Sequence, residues 1–166
     1  MQAEKHGFKP TNHLLHVSIA RQRLHLFHGA GSCAAYTVST SRNPPSCLKN
    51  SLGTPDGLHR IAEKIGDKAP LGMVFKGRVP TGEFYWDVDR DDLITTRILW
   101  LEGLQPGHNR NGDRDSKERY IYIHGTNRED RLGRPQSGGC INMSNTDVLE
   151  LYNTVPAGSL VWIDPD

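Results

Sequence analysis

The stretch from Tyr122 to Met143, YIHGTNREDRLGRPQSGGCINM, holds the residue types that nucleophilic attack on a carbonyl needs. Cys140 supplies a thiol and His124 an imidazole. A free thiol titrates at about 8.5, so an adjacent imidazole is the usual route to thiolate character at neutral pH. Cys140 follows Gly138 and Gly139 and stands shortly before a helix start. Two residues without Cβ let a substrate carbonyl approach the backbone and display the next side chain on a sharp turn. The amides of Gly139 and Cys140 are then the expected oxyanion donors, each typically contributing about 3 kcal/mol to the transition state. Asn142 would fix the turn or a substrate amide, and Ser137 would hydrogen-bond the loop. Spacing alone leaves a second account equally open, in which His124 is a satisfied strand-end histidine and Cys140 a buried thiol.

Such a pair works only if rigid elements hold it. Arg119 to His124 (RYIYIH) is the clearest strand, with Ile121 and Ile123 on one face and Tyr120, Tyr122 and His124 on the other. Upstream, Leu15, Val17 and Ile19 alternate, as do Leu24 and Leu26 and then Tyr36 and Val38. This predicts a hairpin over Ala20-Arg21-Gln22, followed by a third strand. Ser41 to Ser51 reads as a loop and Thr54-Pro55-Asp56-Gly57 as a turn. LHRIAEKI and Leu93 to Leu101 read as strands, the second of them central. Glycines and prolines between Lys68 and Phe84 predict irregular chain, and Glu102 to Glu118 a polar excursion. Ser144 with Asp147 three residues on caps a short helix, whose buried stripe is Val148, Leu151, Tyr152 and Val155. Pro156-Ala157-Gly158 stops it, and Ser159 to Ile163 is the last strand. The expected fold is mostly β: a single domain with a curved or sandwich-like sheet and one short C-terminal helix.

Charge and composition narrow the partners. The 20 Lys and Arg are scattered among 19 Asp and Glu, which does not make the basic face of a nucleic-acid binder. Arg110 to Arg119 alternates in sign and reads as a solvated loop. No apolar run is long enough to cross a bilayer as a helix, and the opening MQAEKHGFKP lacks the apolar core of a secretory signal. Cys33 reads as a small buried hydrophobe, and Cys47 as a free loop thiol or a partner for Cys33. His13 and His16, like His25 and His28, are three apart on strands and face opposite sides, so neither pair chelates well. With His59, His124 and Cys140 far apart in sequence, no metal and no other cofactor is expected.

The longer pattern resembles the L,D-transpeptidase (YkuD-type) catalytic domain. That family's motif is a histidine on a strand, a loop, then Ser/Thr-His-Gly-Cys, an apolar residue and Asn or Arg. The matching residues here are Ile123-His124-Gly125-Thr126 and Ser137-Gly138-Gly139-Cys140-Ile141-Asn142. The YTVSTS run, the Thr54-Pro55-Asp56-Gly57 turn, the closing helix and Pro156 to Val161 match it as well. The domain is thereby expected over 13–164, behind a tail of 1–12. Gly138 departs from the pattern, standing where the family usually has histidine.

The resemblance implies acyl transfer on peptidoglycan stem peptides, by cross-linking or D-amino-acid exchange through a Cys140 acyl-enzyme. His124 would be the base, its imidazole oriented by the Gly125 carbonyl. Tyr122, Gly138, Arg97 and Arg134 would contribute to substrate binding, since arginine pairs bidentately with carboxylates. The substrate implies the cell envelope or periplasm, with the export route open. The alternatives are an L,D-carboxypeptidase or amide hydrolase on the same substrates, and a non-catalytic murein-binding module.

Overall fold

The structure, a computed structural model, describes residues 11–166 apart from the Cys33 side chain. The signal-peptide reading and most of the expected tail therefore lie outside the described residues, as does any pairing of Cys33. Ten strands and one α-helix follow one another: β1 (His13–Ser18), β2 (Arg23–His28), β3 (Gly31–Thr37), β4 (Gly57–Ile65), β5 (Met73–Lys76), β6 (Val79–Phe84), β7 (Ile94–Gly103), β8 (Tyr122–Gly125), β9 (Ile141–Met143), α1 (Asn145–Thr154) and β10 (Leu160–Asp164). They form one mixed sheet in the order β3-β2-β1-β10-β4-β7-β5-β6, with β8 on β7 and β9 on β8. The β1–β10 and β8–β9 pairs are parallel and the rest antiparallel.

The alternation read from the sequence is the core itself. Leu15, Val17, Leu24, Leu26, Leu99, Leu101, Ile123, Ile141 and Met143 are fully buried on one side of the sheet. Val148, Leu151, Tyr152 and Val155 of α1 close that side. The helix starts as its sequence predicts, with Ser144 Oγ accepting from the Asp147 amide at 3.1 Å.

Two expectations are corrected. Lys68 to Phe84 contains the β5–β6 hairpin instead of irregular chain. Its signal is weak because β6 is the outermost strand of the sheet and mostly exposed. An edge strand tolerates Pro80 and Gly82 and needs little apolar patterning. The Arg110–Arg119 segment is not a solvated loop. Ser116 is fully buried against His59, and Arg119 donates to Ser46 O at 3.0 Å and Gly53 O at 2.7 Å.

The strand that holds the sheet together is β7, which pairs with β4, β5 and β8. Its register shifts between Thr95 and Ile98, and Thr96 adopts φ +68° there. Buried Asn145, the first residue of α1, secures this bulge. Its Oδ1 accepts from Thr95 Oγ1 and Thr96 Oγ1, and its Nδ2 donates to Thr126 O at 2.9 Å and Glu129 Oε1 at 2.7 Å. The helix, the bulge and the loop after β8 thus meet in one hydrogen-bonded knot beside Gly125.

Candidate active site

Strand parity and one parallel pairing bring Cys140 and His124 to the same face. On β8, Ile123 points into the core, so Tyr122 and His124 point away from it. On β9, Ile141 and Met143 point into the core, so Cys140 and Asn142 point away. The register Ile123↔Ile141 and His124↔Asn142 then sets Asn142 beside His124 and Cys140 beside Tyr122. The Tyr122 amide donates to Cys140 Sγ at 3.4 Å, and Sγ–H donates to Tyr120 O at 3.4 Å. His124, Cys140, Asn142, Ser137, Gly138 and Arg42 line a cavity of 210 Å³. Among the described residues no hydrogen bond joins Sγ to the imidazole.

The Gly125 carbonyl accepts from His124 Nδ1 at 2.6 Å, which makes Nδ1 the donor and leaves Nε2 as the basic nitrogen. Gly125 itself is dictated by space: a Cβ there would lie 2.6 Å from Thr95 O and 2.9 Å from Asn145 Oδ1. The turn before Cys140 is held from within and from without. Ser137 Oγ donates to Cys140 O at 2.5 Å and accepts from the Gly139 amide at 3.2 Å. Buried Thr54, from the Thr54-Pro55-Asp56-Gly57 turn, donates to Gly139 O at 3.0 Å. Of the two expected oxyanion donors, the Gly139 amide is thus engaged within the turn. Asn142 Oδ1 is buried without a hydrogen-bond partner, an acceptor left open at the cavity.

Burial favours the neutral form of both side chains. It pushes the Cys140 thiol up to about 11, against the opposing pull of the Tyr122 amide and the Arg119 charge. It lowers His124 to about 4, partly offset by the Gly125 hydrogen bond and the Asp92 charge. The resting pair is therefore thiol and imidazole. Alkylation of Cys140 by iodoacetamide, followed by peptide mass spectrometry, is expected to accelerate about tenfold per pH unit through the neutral and alkaline range. A plateau reached below about pH 8 would instead reveal a thiolate–imidazolium pair.

The residues assigned to substrate binding divide. Gly138 lines both the 210 Å³ cavity and a neighbouring groove of 720 Å³, so it stands where the two meet. Tyr122 is buried against Trp100, with its hydroxyl accepting from Arg78, and it serves Cys140 through its amide. Arg97 is buried away from the cavity and donates to Ala69 O and Thr96 O. Arg134 is exposed and donates to Asp130 O. Neither lines the cavity; the arginine that does is Arg42, whose amide donates to Ser137 O. Arg42, Asp92 and Asn145 lie outside the motif, and no local pattern gave them a role at the site; Thr54 was marked, but only as part of a turn.

A Cβ at Gly138 would meet nothing within 4 Å, and its φ is not in the left-handed region. Gly138→His is accordingly expected to change stability by less than about 0.5 kcal/mol in urea unfolding. Gly139, at φ +129°, is the contrasting position, and Gly139→Ala is expected to cost more than about 1 kcal/mol. Equal costs at the two positions would refute this account of the turn.

Comparison with known proteins bears on the family and the fold. The family model of the L,D-transpeptidase catalytic domain, YkuD, matches residues 12–163. The Bacillus subtilis protein provisionally named L,D-transpeptidase YkuD is 49% identical over 88 residues, 52% of this chain and 46% of that protein. YqjB of the same organism, also provisionally named an L,D-transpeptidase, is 51% identical over 47 residues, 28% of this chain and 27% of that one. The chain thus matches less than half the length of these relatives. Among solved structures, L,D-transpeptidase 3 from Mycobacterium tuberculosis, in complex with a faropenem-derived adduct, superposes with a TM-score of 0.59 at 15% identity. That match covers 92% of this chain and 60% of the other. An L,D-transpeptidase from Xylanimonas cellulosilytica gives 0.53 at 15% identity, covering 93% and 61%. With the sheet, the His124 strand and the Cys140 turn in the expected order, the chain belongs to the YkuD family of L,D-transpeptidase catalytic domains.

Proposed function

We propose that this domain transfers acyl groups between peptidoglycan stem peptides through a thioester on Cys140. The observation that carries the proposal is the β8–β9 register, which sets a thiol and a basic Nε2 on the wall of one small cavity. As Sγ attacks the substrate carbonyl, its proton passes to His124 Nε2, and the same proton then leaves with the departing amine. Neutral partners suit this sequence, because the charge develops only once substrate has displaced water. With the Gly139 amide engaged by Ser137, the Cys140 amide is the oxyanion donor, and Asn142 Oδ1 offers an acceptor to a substrate N–H. Arg42 at the cavity rim replaces Arg97 and Arg134 as the group to grip a terminal carboxylate.

Two cavities meeting at Gly138 favour an amine acceptor over water, since a second peptide needs a second approach to the thioester. Hydrolysis of the same thioester, as in a carboxypeptidase, needs only the smaller one. The substrate implies action in the cell envelope or periplasm. The test is mass spectrometry of a disaccharide-tetrapeptide incubated with the protein and an excess of a free D-amino acid, with Cys140→Ala as control. A Cys140-dependent mass shift to the exchanged or dimeric product is expected. Loss of the terminal residue alone would make the enzyme a hydrolase, and no change would favour a binding module.

A further inference from the structure

Cys47, Asp56 and His108 bring three different metal-ligating atoms to one point. Cys47 Sγ lies 3.3 Å from Asp56 Oδ1 and 3.7 Å from His108 Nε2, and His108 Nε2 lies 2.9 Å from Asp56 Oδ1. The residues come from three segments: the loop after β3, the turn before β4 and the excursion after β7. Cys47 is nine residues from Asp56 and 61 from His108, which explains why no ligand spacing revealed them. Tetrahedral Zn²⁺, with bonds of about 2.0–2.3 Å, holds its ligand atoms about 3.3–3.6 Å apart. The observed triangle departs from that by a few tenths of an ångström.

A second nucleophilic triad would look different. There the acid orients the ring nitrogen remote from the nucleophile. Here the same Nε2 faces both the carboxylate and the sulfur, so the three atoms converge instead of forming a relay. The segments that carry them are fastened behind the ligands, as a metal site requires. Asn109 Nδ2 donates to Asp56 O at 3.2 Å and Leu58 O at 3.0 Å. The Ser46 amide donates to Thr54 O at 3.0 Å, and Arg119 holds Ser46 O and Gly53 O. A Cβ on Gly57 would lie 2.2 Å from Gln105 Oε1, so the glycine allows the turn and the excursion to touch. Cys47 is buried at 4% exposure, whereas the His108 side chain is 44% exposed, which leaves one side open for an ion and a fourth ligand.

We propose that Cys47, Asp56 and His108 bind a thiophilic divalent cation of the Zn²⁺ type, which clips together the two loops walling the groove beside Cys140. Binding forms metal bonds to Sγ, Oδ1 and Nε2 and completes the shell with a water. The thiol releases its proton, the imidazole proton moves to Nδ1, and the charges of thiolate and carboxylate cancel that of the ion. Lys49 lies two residues after Cys47, and Asp113, Asp115 and Lys117 follow His108; all four line the 720 Å³ groove. The Lys49 amide already donates to Asp113 O at 2.7 Å, so the two walls touch at a point that the ion would reinforce. The proposal is independent of the acyl-transfer reading.

The test is titration of the full chain with CoCl₂ after EDTA treatment under a phosphine reductant. It is done in a Cys140→Ala background, so that the proposed nucleophile contributes nothing. A thiolate-to-cobalt charge-transfer band saturating at one equivalent is expected, with ZnCl₂ displacing the cobalt and raising the melting temperature. Adding Cys47→Ser should abolish the band, and adding His108→Ala should weaken binding about tenfold or more. Serine keeps a hydrogen bond to Asp56, and His108 is half-exposed, so metal-free variants should melt like their parent. If the Cys47→Ser variant melts early, the His108→Ala arm decides alone. No band in the Cys140→Ala protein, a band that survives Cys47→Ser in a folded variant, or unchanged affinity in His108→Ala would each overturn the proposal.

Discussion

Cys140→Ala is expected to lower turnover of stem-peptide substrates by at least about a thousandfold while leaving the fold intact. The loss is large because no second thiol lines the cavity, and its one hydroxyl, Ser137 Oγ, is held in the turn by its hydrogen bond to Cys140 O; the other polar lining is His124, Asn142, Arg42 and Asp92. The structural cost is small. Cys140 is only partly buried and its sulfur packs on the minor cluster of Phe75, Ile98 and Tyr122, so its removal costs about 1 kcal/mol. The measurements are single-turnover product formation and urea unfolding on the same preparation. Turnover within tenfold of the parent enzyme would remove Cys140 from the mechanism. His124→Ala should behave differently, keeping residual activity that climbs with pH as hydroxide takes over thiol deprotonation.

A steep loss of stability between about pH 6.5 and pH 4 is the second large expected effect. Two histidines are buried in the neutral form and lowered to about 4 by that burial, His59 and His124. His59 is fully buried; its Nδ1 bonds Gly57 O at 3.0 Å and its Nε2 bonds Ser116 Oγ at 2.8 Å. The neutral ring satisfies both contacts, donating from Nδ1 and accepting at Nε2. In the unfolded chain each imidazole titrates near 6.5, so below that pH the unfolded state binds protons that the folded state does not. Stability from these groups is therefore complete above about 6.5 and falls as the pH drops toward 4. Each contributes a slope of roughly 1.4 kcal/mol per pH unit and a total of roughly 3 kcal/mol. Urea unfolding across this range checks it, with His59→Gln expected to flatten the slope by about one proton's worth. An unchanged slope in that variant would show that His59 is not the titrating group. Because the fold gives way in the same range, the acid limit of any activity should follow unfolding as well as protonation of His124.

Much of the site was legible because short-range rules govern it. Alternation over Tyr122, Ile123 and His124 gave the core face of β8, with His124 opposite Ile123. The strand expected from Arg119 begins only at Tyr122, because Arg119 and Tyr120 form a turn with Tyr120 at φ +58°. The Ser144 cap and the apolar stripe set the start and the buried side of α1. Gly138 and Gly139 marked the turn ahead of Cys140, although only the structure separates them. Gly139 needs its left-handed backbone, while Gly138 sits in open space and carries no steric reason to be glycine. The β5–β6 hairpin was illegible because an exposed edge strand has no buried face to pattern.

By itself, then, the amino-acid order determined the sheet's core face and the helix, while Cys140 and His124 stood out as a candidate pair only through their resemblance to a family motif. The core face and the helix depend on backbone geometry within a few residues, which periodicity and turn chemistry report directly. Only the tertiary structure decided what lies beside that pair. It chose the parallel β8–β9 register, brought Arg42 to the cavity instead of Arg97 or Arg134, and buried both side chains enough to favour their neutral forms. It also gathered Cys47, Asp56 and His108 from three separate segments. Such meetings depend on where whole segments cross in space, and chain closure over tens of residues leaves no trace in local pattern.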